Sequence, residues 1–251
     1  MEANVRSTRL AAWAMAAGLA VGTALAERVV YNNIPDTLDP NYPSQPYEAQ
    51  RVAEFGDRIT FGIGAPLLLQ SVTFTMSDWA KYEDWQSGGW AGPGFYHDFT
   101  LNLYEAGTGA DHGALVASTT QNLFVPYRPT GWSKGGYAFN LNFDLSTANI
   151  AAPDSIVYGL AFNTNTAGYD PVGVSGPYDS LNFGCNTAPG GGITIGSTDV
   201  DEVFISYNGG VFANETGWTG YVPMARFTVP EPATAALIGL GGLVFLRRRR
   251  A

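Results

Sequence analysis

The chain has a single cysteine in its 251 residues, so Cys185 has no intramolecular disulfide partner. A small fold stapled by disulfides is excluded, and burial and hydrogen bonding must hold the domain together. Charge is scarce as well. Only 14% of residues are Asp, Glu, Lys or Arg, which argues against long charged helices. An aromatic content of 13% is too high for a disordered chain. Basic residues are fewest in the body of the chain. Six of the 13 Lys and Arg lie at the ends, as Arg6, Arg9, Arg247, Arg248, Arg249 and Arg250. Residues 27–228 keep seven basic residues against 20 acidic ones, a net charge of −13. Such a surface repels nucleic acid, whose binding needs a cationic face. Long apolar runs are absent except at the two ends.

The first end has the three parts of a secretory signal over residues 1–26. Arg6 and Arg9 form a basic start, Leu10 to Val21 an apolar run of about 12 residues, and Ala24 and Ala26 the small residues that signal peptidase accepts. Cleavage after Ala26 is expected, with an uncleaved N-terminal anchor as the alternative. The other end reads Val229-Pro-Glu-Pro-Ala233, an uncharged stretch to Leu246, then four arginines. Pro230 and Pro232 have no amide hydrogen, so a helix begins after them or with Pro232 in its first turn. The apolar stretch is about 14 residues, roughly 21 Å as helix against a hydrocarbon core of about 30 Å. Extended back to Val229, with the arginines snorkelling, it reaches the length of a transmembrane helix. Arg247 to Arg250 act as a cytoplasmic stop and leave the preceding chain outside.

A Val-Pro-Glu-Pro motif, a Gly-, Ala- and Leu-rich apolar helix and a terminal arginine cluster together resemble the PEP-CTERM sorting signal. The same tail is also labelled "ice-binding protein C-terminal domain", which describes the tail rather than the body. The resemblance covers about residues 229–251. It implies an exported protein of a Gram-negative bacterium that makes exopolysaccharide. Its partners would be signal peptidase and an exosortase, a membrane cysteine protease that recognises Pro230, Glu231 and Pro232. A plain membrane anchor is the alternative for the tail. Tyr31 to Pro35, Glu54 to Ile59 and Gly176 to Asn182 also resemble phrases common among exported PEP-CTERM proteins, a group with no activity to transfer.

The middle, residues 27–228, contains neither a low-complexity linker nor an internal repeat, and reads as one domain. Apolar residues recur with period two, as in half-buried strands. Val72, Phe74 and Met76 share a face. So do Phe99, Leu101 and Leu103; Tyr137, Phe139, Leu141, Phe143 and Leu145; Ile156, Tyr158, Leu160 and Phe162; and Val203, Ile205 and Tyr207. Arg58 to Phe61, Gly113 to Val125 and Tyr221 to Thr228 are further candidates. Glycine-rich turns separate them, among them Gly88-Gly89, Gly135-Gly136 and Asn208-Gly-Gly210. Eight to eleven strands over about 200 residues predict an all-β fold, a single β-sandwich of jelly-roll type. A closed barrel is the alternative.

Motifs for chemistry are few. His97 and His112 lie in separate segments, with neither the spacing of a zinc site nor a Gly-x-Ser-x-Gly elbow to serve. They are expected to be ordinary surface or turn histidines. Cys185 is expected to be a buried or incidental thiol. Asp199, Asp201 and Glu202 are the best of the acidic loops for a structural calcium, because on an extended chain Asp199 and Asp201 point the same way. Solvated turns are the plainer reading, and no other cofactor is implied. Trp79, Tyr82, Trp85 and Trp90, beside Asp78, Glu83 and Asp84, have the chemistry of a glycan surface: ring faces to stack on pyranoses and carboxylates to accept hydroxyl protons. Trp132, Trp218 and Tyr221 are candidates to extend it. The competing reading has these rings plugging the ends of the sandwich. Thr73 and Thr75 are too few for the flat threonine array that ice binding asks for.

The expectation is an exported, non-enzymatic surface or matrix protein associated with exopolysaccharide, with a jelly-roll carbohydrate-binding module as the alternative. A polysaccharide hydrolase or lyase is more remote. An exported route ends on the membrane, the cell surface or the extracellular matrix.

Overall fold

The computed structural model describes residues 27–64, 67–83, 92–162 and 181–231. The strands in chain order begin with β1 (Glu27–Asn32), β2 (Ser44–Pro46), β3 (Val52–Thr60), β4 (Leu67–Leu68), β5 (Ser71–Asp78), β6 (Gly94–Glu105), β7 (Leu115–Pro126) and β8 (Tyr137–Asp144). They continue with β9 (Ala151–Ala152), β10 (Ser155–Ala161), β11 (Leu181–Asn186), β12 (Ser197–Thr198), β13 (Glu202–Tyr207), β14 (Ala213–Thr216), β15 (Val222–Pro223) and β16 (Ala225–Pro230). A one-turn helix, Tyr47–Gln50, precedes β3. Among the described residues no helix is long and apolar enough to cross a membrane. The expected signal peptide and C-terminal helix lie outside the described residues.

All named strand pairs are antiparallel. One seven-stranded sheet runs β1-β16-β5-β11-β15, with β8 on the other side of β5 and β2 against β11. The second runs β14-β13-β3-β10-β6-β7, with β12 beside β3. The period-two stripes supply their facing surfaces. Phe74 of β5 meets Tyr158 of β10 at 5.6 Å between ring centroids, Phe183 of β11 meets Phe55 of β3 at 5.4 Å, and Phe227 of β16 meets Tyr158 at 5.5 Å. All five rings are fully buried, and each contributes roughly 1.5–3 kcal/mol by leaving water. Gln121 ties the sheets at one edge, donating to the Asp144 carbonyl (2.6 Å) and accepting from the Asp144 amide (3.2 Å).

The strongly alternating runs are strands, and several are longer than their stripes. The Phe99–Leu103 stripe belongs to a 12-residue β6. The strands β1 and β11 do not stand out as runs of their own. In β1 only Val30 and Tyr31 are fully buried, and in β11 the alternation of Leu181, Phe183 and Cys185 is interrupted by a buried Gly184. The segment 221–228 divides into β15 and β16. Strand pairing also runs past the expected boundary at 228. Val229 is buried and pairs with Arg28, and Pro230 pairs with Glu27.

Candidate functional site

The end of β5 at Asp78 opens into an aromatic cleft of about 580 Å³. Its walls include Tyr82, Pro93, Pro126, Tyr127, Arg128 and Tyr137. Pro126 closes β7, since a proline cannot extend a hydrogen-bonded ladder. The chain is then held by the Tyr127 amide on the Pro93 carbonyl (3.0 Å) and the Arg128 amide on the Ala80 carbonyl (3.0 Å). These bonds fix the segment after β5 alongside the segment after β7. Tyr137 is the first residue of β8, and the register pairs it with Asp78.

The rings lie close together. Tyr82 and Tyr127 have centroids 6.3 Å apart, and Trp132 stands edge-on to Tyr137 at 5.3 Å. Trp132 Nε1 donates to the Lys134 carbonyl (2.7 Å), and Arg128 Nη1 donates to the Gly135 carbonyl (2.7 Å). Burial, and then the nearby Asp78 carboxylate, push the Tyr127 phenol up to about 12, so it remains a hydroxyl at neutral pH. The Glu83 carboxylate is held below its ordinary range by its own backbone amide, the Thr130 hydroxyl and the Gly131 amide, so it stays charged on the rim. Apolar ring faces, a guanidinium, a phenol and a fixed carboxylate make a surface suited to a polyhydroxylated ligand.

Of the residues predicted for such a surface, Tyr82 lines the cleft. Trp79, 40% exposed, sits just past β5, and its Nε1 donates to the Asn182 side-chain oxygen (3.2 Å) in the amide orientation that also accepts from Ser44. Gly136 leaves room for that indole, because a Cβ there would collide with Trp79 Nε1 and Ser77 Oγ. Trp85 and Trp90 lie outside the described residues, although Tyr82 and Gly92, which flank that segment, both line the cleft. Trp132 joins the group through Tyr137. Trp218 does not; it packs against Phe55 of the core at 5.4 Å and donates to Glu215 (3.2 Å). The sequence reading missed Tyr127, Arg128 and the open end of the β8 stripe at Tyr137. The available signal was the Pro-Tyr-Arg-Pro run at 126–129, where two prolines force an aromatic and a cation off the strand.

The acidic loop does not take the extended form on which the calcium reading rested. Residues 199–201 form a turn between β12 and β13, not an extended segment. Asp199 accepts from the Asp201 amide (3.1 Å), Asp201 accepts from the Thr219 hydroxyl, and Glu202 pairs with Arg58 (3.1 Å) and accepts from Asn214. Among the described residues no three His, Cys, Asp or Glu side chains converge as a metal site would require.

His97 also departs from expectation. It is buried on the inner face of β6, 5.0 Å from Phe99 and 5.8 Å from Phe162, and burial lowers its pKa to about 4. The alternation of β6 explains this, because His97 occupies the same inward row as Phe95, Phe99 and Leu101. His112 lies in a turn, with Nδ1 2.7 Å from the Gly113 carbonyl and its ring over Tyr104 at 4.2 Å. Cys185 is a buried thiol, pushed up to about 12 by burial.

A carboxyl also faces the core. Asp57 of β3 is fully buried; burial drives its carboxyl well above the usual range, against the Thr198 hydroxyl and Arg58 amide that favour the ionised form. Thr198 Oγ1 lies 2.6 Å from the Arg58 carbonyl and 2.9 Å from Asp57 Oδ2. The hydroxyl has a single proton to offer these two acceptors.

No curated protein and no solved structure matches the chain. Residues 228–250, which begin inside β16, match the PEP-CTERM protein-sorting motif, and this chain therefore carries a PEP-CTERM sorting signal.

Proposed function

We propose that the protein is exported, sorted through its C-terminal signal by an exosortase, and serves the cell surface or extracellular matrix without catalysis, holding exopolysaccharide in the aromatic cleft. The sorting motif at residues 228–250 carries the reading of export and envelope association. Signal peptidase is the partner at the other end, acting after Ala26. The body is read as a β-sandwich of jelly-roll type, and a Gram-negative envelope is the setting in which such a tail is processed.

The arrangement of the two ends of β5 supports the glycan role. At Ser71 the strand pairs with Thr228 and Asp144, next to where β16 leads into the sorting motif. At Asp78 it pairs with Tyr137 and Leu181 beside the cleft. Seven residue steps separate these ends, about 24 Å at 3.4 Å per residue. A domain tethered by its tail presents the cleft on its far side, where a polymer outside the membrane can reach it. The cleft pairs its aromatic walls with one guanidinium, Arg128, and one nearby carboxylate, Glu83, a balance that suits a neutral polysaccharide.

Two measurements test this. Mass spectrometry of protein recovered from envelope and medium should find termini at Glu27 and close to Pro230; an intact chain in both fractions refutes processing. Co-sedimentation with the producing strain's own polymer and with neutral polysaccharides should retain the full chain and release the Tyr82→Ala variant. Equal retention of both rules out the cleft.

A further inference from the structure

We infer that β7 is a docking edge for a second copy of this chain, so that sheet β14-β13-β3-β10-β6-β7 continues across a two-fold axis into its twin. The inference stands apart from the glycan reading, since it uses neither the cleft nor its rings. β7 is the last strand of its sheet; among the described residues no backbone–backbone hydrogen bond reaches its outer side, and the Asp144 backbone of β8 is tied to it only through the Gln121 side chain. From Gly94↔Pro126 to Leu103↔Ala117 its register with β6 is unbroken. The span 117–125 thus offers about 30 Å of regular edge. Its sequence, Ala117-Ser-Thr-Thr-Gln-Asn-Leu-Phe-Val125, contains no charged residue and no proline.

Exposed edges are normally blunted by charge, proline, a bulge, short length or a cover, and the other edges here are. β8 is capped at its two ends, where the Ala138 amide donates to the Pro40 carbonyl and the Asp144 backbone is held by Gln121. β1 has Glu27 and Arg28 and a register shift between Val29 and Tyr31. β14 is four residues long and contains Glu215, and β15 is two residues long. The partner follows from charge. A body of net charge −13 repels its own copies, and β7 bears none of that charge, so repulsion is weakest where two β7 edges meet. An antiparallel edge presents alternating donors and acceptors that match its own copy turned by 180°. Tyr96 and Phe124, stacked edge to face at 5.5 Å and 61% and 40% exposed, supply apolar area beside the seam.

The test uses the full chain in detergent micelles. Single cysteines placed in turn at 118–122 report on the seam, because the native Cys185 is buried and stays silent. Under mild oxidation one position at the two-fold axis should give a covalent dimer, with yield falling on both sides. A flat profile or no dimer overturns the inference. In sedimentation, the double variant Thr120→Lys with Asn122→Lys sets like charges opposite each other and should weaken self-association at least about tenfold. Both positions are exposed, so melting should be unchanged. A wild-type chain that stays monomeric, or a dimer that survives the lysine pair and so belongs to the tail, overturns it equally.

Discussion

At the Ser71 end of β5 the strand is paired on both sides, by β16 and by β8, beside a hollow of about 540 Å³ lined by Glu27, Ser71, Asn142, Asp144 and Arg226. β16 lies between β1 and β5, and the Ser71 and Thr228 hydroxyls lie 2.7 Å apart and 3.1 and 2.9 Å from Glu27 Oε2, so that one hydroxyl donates to the other and the second donates to the carboxylate. At the Asp78 end the pairing stops, prolines turn the chain outward, and partly exposed rings surround an open volume. One strand therefore joins a fully paired end, from which the sorting signal departs, to an open, aromatic end with the chemistry of a binding site. The first end is built from backbone ladders and small polar side chains, the second from side chains held by a few backbone bonds. Substitutions at the open end should therefore change binding with little effect on folding, and substitutions in the strand between should change both.

The largest expected effect separates the two ends completely. Replacing Pro230, Glu231 and Pro232 by alanine should abolish tail processing, seen by mass spectrometry as retained full-length protein, while glycan retention persists. Loss of both would mean that the motif is needed for the fold. Next comes the strand between them. Phe74, fully buried against Tyr158, Phe143 and Phe183, should cost about 3–5 kcal/mol as Phe74→Ala in chemical denaturation and weaken both ends together. A smaller effect is confined to the open end. Tyr82→Ala should lower glycan affinity about tenfold, roughly 1.4 kcal/mol, with the melting temperature unchanged.

The smallest effect tests whether the core between the ends is neutral. Asp57 has its folded pKa above its unfolded value, through burial first. The stability linked to its proton is then fully present below the unfolded pKa of about 4 and is lost as pH rises through the folded value. Asp57→Asn keeps the shape and removes the titration. Its melting temperature, compared with that of the parent, should gain as pH rises from 4 to 7. A constant difference across that range would place an ionised carboxylate in the core.

The body was legible in the sequence where the alternation was strong. The stripes at 72–76, 99–103, 137–145 and 156–162 are strands with those faces inward, because burial on one face of a pleated strand imposes period two. β11 was not, since a glycine in a row that packs closely against Thr75 and Met224 breaks the pattern. His97 shows the limit of residue-type reasoning, because its position in an apolar row outweighed its polarity. The cleft was half legible. Tyr82 belongs to a local cluster visible in the sequence, while Tyr127, Arg128 and Tyr137 reach the same place only through long-range strand pairing.

The pairing at the Ser71 end also determines how the molecule would bear mechanical load. A polymer pulling on the open end and a tail held at Pro230 would stretch β16 along its own axis. Because that strand is flanked on both sides, by β1 and by β5, its hydrogen bonds to both neighbours would be strained together in shear and could not open one at a time. A protein strung between an envelope and a glycan would thus meet tension with two ladders in parallel, at the place where the tether begins.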